Sequence, residues 1–341
     1  LFRGLVSGYL APMSRRFNPG TSRPPAVHPL LPEAAALHQA GHLAEAAARY
    51  ERIVAEIPGH FDATHLLGVI ALQEGRFEQA EKLIKAALTV NPRDAAALSN
   101  LGAVYLRSGQ LEASVVQLEK AIRHPPVSAE TLVNLGSVLR QLKRSREALV
   151  PLRRAYATPQ RSATLCNLIG ACLLDIDDAP EAVKFFEAAT RIEPEAADGW
   201  ANLSIALGFC GEPEKAGRCA ENAIALQPTS SSALAARAAV QIQHGQIDEA
   251  IATYWDAVAL PDASNQTRCA FALALLKNGN ADDAIEQLHL ALAADSDNML
   301  ARWLLAMAQC KPIFDSAAES AASRASFSDQ LNQLSAWFAA A

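Results

Sequence analysis

Asn100, Asn134 and Asn202 each stand two residues before a small residue, in LSNLGAV, LVNLGSV and WANLSIA, and the first two are 34 residues apart. A carboxamide carries both a donor and an acceptor, so it can match the two polar groups of a peptide unit. A row of such groups could hold an extended chain by its backbone and stay nearly indifferent to its side chains. Each hydrogen bond contributes only about 0.5–1.5 kcal/mol net, so several must act together. Asn167 in CNLIG lies one residue out of phase with this series and is expected to point differently. Arg107, Gln141, Gln243 and Lys277 lie further along the same face and are candidates to supplement the row. The competing reading makes the asparagines partners of nearby backbone groups and the other four a solvated face.

Other clusters have weaker chemistry. His38 and His42 are four residues apart, half of a metal site, but no acid or thiol stands beside them at ligand spacing. A solvent-facing pair is the simpler expectation, and His60 with His65 reads the same way. Asp175, Asp177 and Asp178 in LLDIDDAPEA lack the glycine and terminal glutamate of a calcium loop, so they read as turn and cap residues. The six cysteines, Cys166, Cys172, Cys210, Cys219, Cys269 and Cys310, include no CxxC pair. Buried free thiols in a reducing cytoplasm fit them better than a disulfide framework. No constellation calls for a cofactor or for catalysis.

What positions these residues is a chain of 341 residues that is half hydrophobic yet only 6% aromatic. Its abundant alanine favours helix and close helix packing, and runs of β-branched residues with period two are missing. The fold class is all-α. A net charge of −6 argues against nonspecific nucleic-acid binding, which needs a basic face, and no apolar run approaches the length of a membrane span. Residues 1–29 contain arginines, prolines and glycines and read as a flexible leader. An upstream-extended reading frame or a clipped fragment explains a start at Leu1 better than a targeting signal.

Four series of residues repeat at 34. Pro58, Pro92, Pro126, Pro194 and Pro228 form one, with Gln160 in the empty slot. Gly68, Gly102, Gly136, Gly170, Ser204, Ala238, Ala272 and Ala306 form the second. The others run from Ala46 to Ala284 and from Ala87 to Ala291. This phasing resembles the tetratricopeptide repeat family, whose unit is a helix–turn–helix. The resemblance implies a right-handed α-solenoid of eight to nine repeats over 30–311, starting near residues 27, 61, 95, 129, 163, 197, 231 and 265. The first repeat is expected to lack most of its first helix, and 299–310 supplies a ninth first helix. In such arrays the first helices line a concave groove, which implies a protein or peptide partner there. The lysine and arginine clusters that clamp a C-terminal carboxylate in some relatives are replaced here by His65, Ser99, Val133, Asn167 and Ala201.

After Lys311-Pro312 the segment 312–341 is expected to form one more helix, capped by Asp315 or Ser316, with Phe327, Leu331, Leu334 and Phe338 as its apolar stripe. With ARWLLAMAQ before it, this segment is similar to the junction in bacterial SPINDLY-type O-linked N-acetylglucosamine transferases. That resemblance implies an acceptor-recognition arm separated from its catalytic domain, and self-association through the exposed helix. The 29 residues after Pro312 leave the family's catalytic residues no positions to occupy. A stand-alone scaffold for assembling a protein complex is the alternative.

Overall fold

The computed structural model describes residues 28–159, 161–309 and 317–340. Every regular element among them is a helix, and the helices come in antiparallel pairs. The chain divides between Arg161 and Ser162 into two compact units. The first holds α1 (Leu30–Ala40), α2 (Leu43–Glu56), α3 (Phe61–Gln73), α4 (Phe77–Val90), α5 (Ala95–Arg107), α6 (Leu111–Ile122), α7 (Ala129–Gln141) and α8 (Ser145–Tyr156). The second holds α9 (Ala163–Leu174), α10 (Ala179–Ile192), α11 (Ala197–Phe209), α12 (Pro213–Leu226), α13 (Ser231–Gln243) and α14 (Ile247–Ala259). It continues with α15 (Asn265–Lys277), α16 (Ala281–Ala294), α17 (Met299–Ala308) and α18 (Ala317–Ala340). Odd-numbered helices are the first members of their hairpins.

The first-helix starts from α3 to α17 fall on the expected residues. The first hairpin differs from expectation: α1 is an 11-residue helix and not a remnant. Its Leu31 and Ala34 are buried against Ala46, Tyr50 and Ile53, and that burial stabilises the extra turn. The leader up to residue 27, Gln160, Cys310 and the proposed caps Asp315 and Ser316 lie outside the described residues.

Local chemistry sets the hairpins. Seven first helices start with a side-chain cap, for example Asp94 Oδ1 accepting from Ala97 N at 2.9 Å and Asn298 Oδ1 from Ala301 N at 3.0 Å. Second helices end two residues before Pro58, Pro92, Pro194 and Pro228 and four before Pro126, which cannot continue them. Within a hairpin the small residue of the first helix sits under a large residue of the second. A Cβ on Gly102 would lie 2.6 Å from Leu118 Cγ, and one on Gly136 2.4 Å from Leu152 Cγ. At the same crossing Ser114 Oγ donates to Gly102 O at 2.7 Å, and three hairpins later Ser204 Oγ donates to Ala216 O at 2.8 Å. The two serines hold the same crossing from opposite sides.

The left-handed turn residue is glycine in six hairpins, with φ between 74° and 87°. Lys143, at φ 61°, and Asp177, at φ 65°, occupy the same slot in the other two. Cores follow the units. In the first, Tyr50, Ile53, Leu66 and Ile70 lie in one cluster and Leu72, Ile84, Leu101 and Val104 in the next. In the second, the fully buried members of one cluster are the alanines Ala201, Ala220, Ala223, Ala233 and Ala236, with Trp200, Ile205 and Ile224 packed against them, and the next is built on Tyr254, Phe271 and Leu288.

Candidate functional site: the faces of the first helices

First helices of neighbouring hairpins touch through polar pairs about one repeat apart. In the first unit His38 Nε2 donates to Gln73 Oε1 at 3.2 Å. Asn100 Nδ2 donates to His65 Nε2 at 2.9 Å. Thr131 Oγ1 donates to Ser99 Oγ at 2.8 Å. In the second unit Ser232 Oγ donates to Asp198 Oδ1 at 2.9 Å. Residues at matched positions of successive first helices are therefore neighbours in space within each unit.

The asparagines fall into three environments. Asn100 is only 5% exposed, so it is not an open member of the row: the fully buried His65 ring takes its amide. Asn134 on α7 and Asn202 on α11 are half-buried and keep an accessible side. Asn167 on α9 is half-buried, and its Oδ1 is buried with no protein partner. It stands one position from the slot that Leu168 fills, as its phase requires.

Arg107, Gln141, Gln243 and Lys277 are all exposed at or just inside the C-terminal ends of α5, α7, α13 and α15. The Arg107 guanidinium stacks 5.6 Å from the Phe77 ring centre. Beside Asn134, the accessible stripe of α7 also presents Glu130, Ser137 and Arg140 at helical spacing. Burial pushes the Glu130 carboxyl above its ordinary range.

Several sequence expectations are corrected here. His38 and His65 are buried and bridge repeats, so neither belongs to a solvent-facing pair. Only His42 is exposed, and His60 caps α3 by accepting from Ala63 N at 3.3 Å. The clue was the 35-residue spacing shared by His38–Gln73 and His65–Asn100. Asp178 does cap α10, accepting from Glu181 N at 3.2 Å. Cys166, Cys172, Cys219 and Cys269 are buried thiols, whereas Cys210 is half-exposed. The C-terminal helix is docked: Leu334 is buried, Ser326 Oγ donates to Gln309 Oε1 at 2.7 Å, and Trp337 Nε1 donates to Asp297 Oδ1 at 3.2 Å. Among the described residues no helix is long and apolar enough to cross a membrane.

Two family models, both of the tetratricopeptide repeat, match the sequence, one at 37–103 and 71–130 and the other at 104–164 and 269–329. Together the matches span more than half of the chain, and the last runs through α17 into α18. The chain belongs to the tetratricopeptide repeat family. No curated protein sequence matches it. Among solved structures it is similar to YrrB, described as a tetratricopeptide repeat protein with an unusual peptide-binding site. Identity there is 25% and the TM-score 0.51, over 56% of this chain and 98% of that one. A tetratricopeptide repeat protein from Parabacteroides merdae is 16% identical with a TM-score of 0.64, over 73% of this chain and 99% of that one. PilF of Pseudomonas aeruginosa is 21% identical with a TM-score of 0.52, over 64% and 97% respectively. The latter two similarities concern the fold.

Proposed function

We propose that this tetratricopeptide repeat array is a protein-interaction module that binds extended polypeptide segments on the faces of its first helices, unit by unit. The observation that carries the reading is the phased pair Asn134 and Asn202, half-buried carboxamides at matched positions of first helices, with Asn167 one position out of phase between them. Asn134 and Asn202 both keep part of their surface open, and Asn100 is closed off by its hydrogen bond to His65. Arg107 and Gln141 in the first unit, and Gln243 and Lys277 in the second, extend the two surfaces. The peptide-binding site named for YrrB supports the same class of ligand.

The test uses a synthetic array of random-sequence peptides and the full chain. The variant Asn134→Ala/Asn167→Ala/Asn202→Ala should bind the peptides captured by the wild type at least about tenfold more weakly, one decade being about 1.4 kcal/mol, with its helicity unchanged. Undiminished binding removes the asparagines from the function.

The narrower reading makes this array the acceptor-recruiting arm of a SPINDLY-like O-linked N-acetylglucosamine transferase. It rests on the resemblance of 299–338, where α18 is docked through the Ser326–Gln309 and Trp337–Asp297 hydrogen bonds. A glycosyltransferase domain encoded in frame after Ala341 supports it, and a stop codon there favours the stand-alone scaffold. Self-association through α18 draws on exposed Leu331 and Phe338. Sedimentation of wild type against Leu331→Asp tests it, a dimer lost in the variant being the expected result. Cytoplasmic residence is the setting that suits the free thiols.

A further inference from the structure

Between Glu130 and Asp175 the sequence carries seven lysines and arginines and one acid, Glu147, in a chain whose net charge is −6. Five of these cations, Lys143, Arg144, Arg146, Arg153 and Arg154, stand on α8 or in the turn before it, and all five are exposed. Arg146, Val150, Arg153 and Arg154 fall within roughly 100° of one another around the axis at 3.6 residues per turn. They form one outer stripe, with Val150, 70% exposed, in its middle.

Other second helices are acidic at these positions. Arg146 stands where the matched residues are Glu78, Glu112, Glu214, Asp248 and Asp282. Arg153 stands where they are Glu51, Glu119, Glu187 and Glu221. Residue 146 is in the first turn of α8, where the helix dipole favours a carboxylate and opposes a cation. A break with local preference of this kind is expected where a surface serves binding. The charge is also available. Arg144 is held by Glu147 at 2.8 and 2.6 Å, and Glu119 of α6 faces Arg123 at 4.0 Å. Arg146 and Arg154 enter no ion pair among the described residues. On the preceding second helix, α6, Lys120 and Val116 occupy the positions matching Arg154 and Val150, and Val116 is 48% exposed.

We propose that the outer face of α8 binds a carboxylate-rich segment of a partner protein, with Arg146 and Arg154 taking its carboxylates and Val150 an apolar side chain between them. A guanidinium meets a carboxylate with two parallel N–H donors. Nucleic acid fits this surface less well. Its bases stack on open aromatic rings, and the one ring of the stretch, Tyr156, is half-buried with the Arg161 guanidinium 4.6 Å from its centre. A phosphate backbone makes no use of an exposed valine, and the 12 residues of α8 span only about 18 Å. The face belongs to a second helix and is separate from the first-helix faces.

The experiment measures, by fluorescence anisotropy, the binding of a labelled peptide of glutamate, leucine and serine to the full chain. It is repeated with Arg146→Glu/Arg154→Gln and with Lys82→Glu/Arg93→Gln, which changes the net charge equally at exposed residues away from α8. Arg146→Glu restores the residue type of the other second helices, so an unlowered thermal melt is expected. Arg146→Gln/Arg154→Gln takes its place if the melt falls. We expect the peptide to bind at least about threefold more weakly to the α8 variant. Its binding should be unchanged in the control and in Asn134→Ala/Asn167→Ala/Asn202→Ala. No binding by the wild type, or equal losses in the two charge variants, overturns the inference. Tighter binding of a single-stranded oligonucleotide or of phosphatidylserine vesicles also overturns it. A loss confined to the asparagine variant does so too, while leaving the proposed function standing.

Discussion

The carboxamide of Asn100 donates to Nε2 of His65 at 2.9 Å, across the boundary between two repeats and out of reach of solvent. This pair gives a residue type associated with ligand contact a second task. Within one phased series, Asn100 joins repeats while Asn134 retains an open side.

The two roles separate in stability. Asn100→Ala strands a buried imidazole nitrogen, and loss of such a partner costs about 1–3 kcal/mol. Asn134→Ala, half-buried on a helix that alanine favours, should change stability by less than about 0.5 kcal/mol. Urea unfolding of the two variants checks this, and equal losses would erase the distinction.

Hairpin closure predicts opposite signs at two glycines. A Cβ at Gly136 meets fully buried Leu152 at 2.4 Å, so Gly136→Ala should destabilise by about 1–3 kcal/mol despite better helix propensity. At Gly199 the nearest neighbour, Thr190 Cγ2, is 3.5 Å from the added carbon. Gly199→Ala should stabilise by up to about 1 kcal/mol. Paired denaturation curves decide both.

Lys143 holds a turn position that six other hairpins give to glycine, at φ 61°. Replacing it by glycine relieves a conformation unfavourable to a residue with a Cβ. Lys143→Gly should raise stability by about 0.5–1 kcal/mol, partly offset by the greater freedom of the unfolded chain. A lowered melting temperature would show that the lysine side chain contributes more than its backbone costs.

The repeat architecture was legible because packing at a helix crossing tolerates only small residues, and those recur in the sequence with fixed phase. The helix starts at Ala95, Ala129 and Ala163 follow from that phase. The burial of Asn100 and His38 was not legible, since both depend on which side chain of the neighbouring repeat arrives opposite them. Their partners, His65 and Gln73, lie 35 residues away and not 34, so reading at strict period passes over them.

Acid should loosen the first repeats. Burial lowers the pKa of His38 from its ordinary 6.5, with the Gln73 hydrogen bond opposing in part. The unfolded chain then binds more protons than the folded one below about pH 6.5, so stability rises with pH in that window. The His38 contribution is complete above 6.5 and is lost as the pH falls through 6.5 toward the folded value. His38→Gln should flatten the change in stability between pH 7 and pH 5, measured by urea unfolding. An unchanged slope would assign the acid sensitivity elsewhere.

The central claim, that first-helix faces bind polypeptide, is tested most directly by where a bound peptide touches. A photo-crosslinking amino acid placed singly at Gln141, at Gln243 and at Val150 samples exposed positions near the ends of two first helices and on a second helix, Val150 being 70% exposed. With a peptide that both the wild type and Arg146→Glu/Arg154→Gln capture from the random array, the account predicts adducts at Gln141 or Gln243 and none at Val150. Adducts at Val150 alone would place the ligand on the second helices and contradict it.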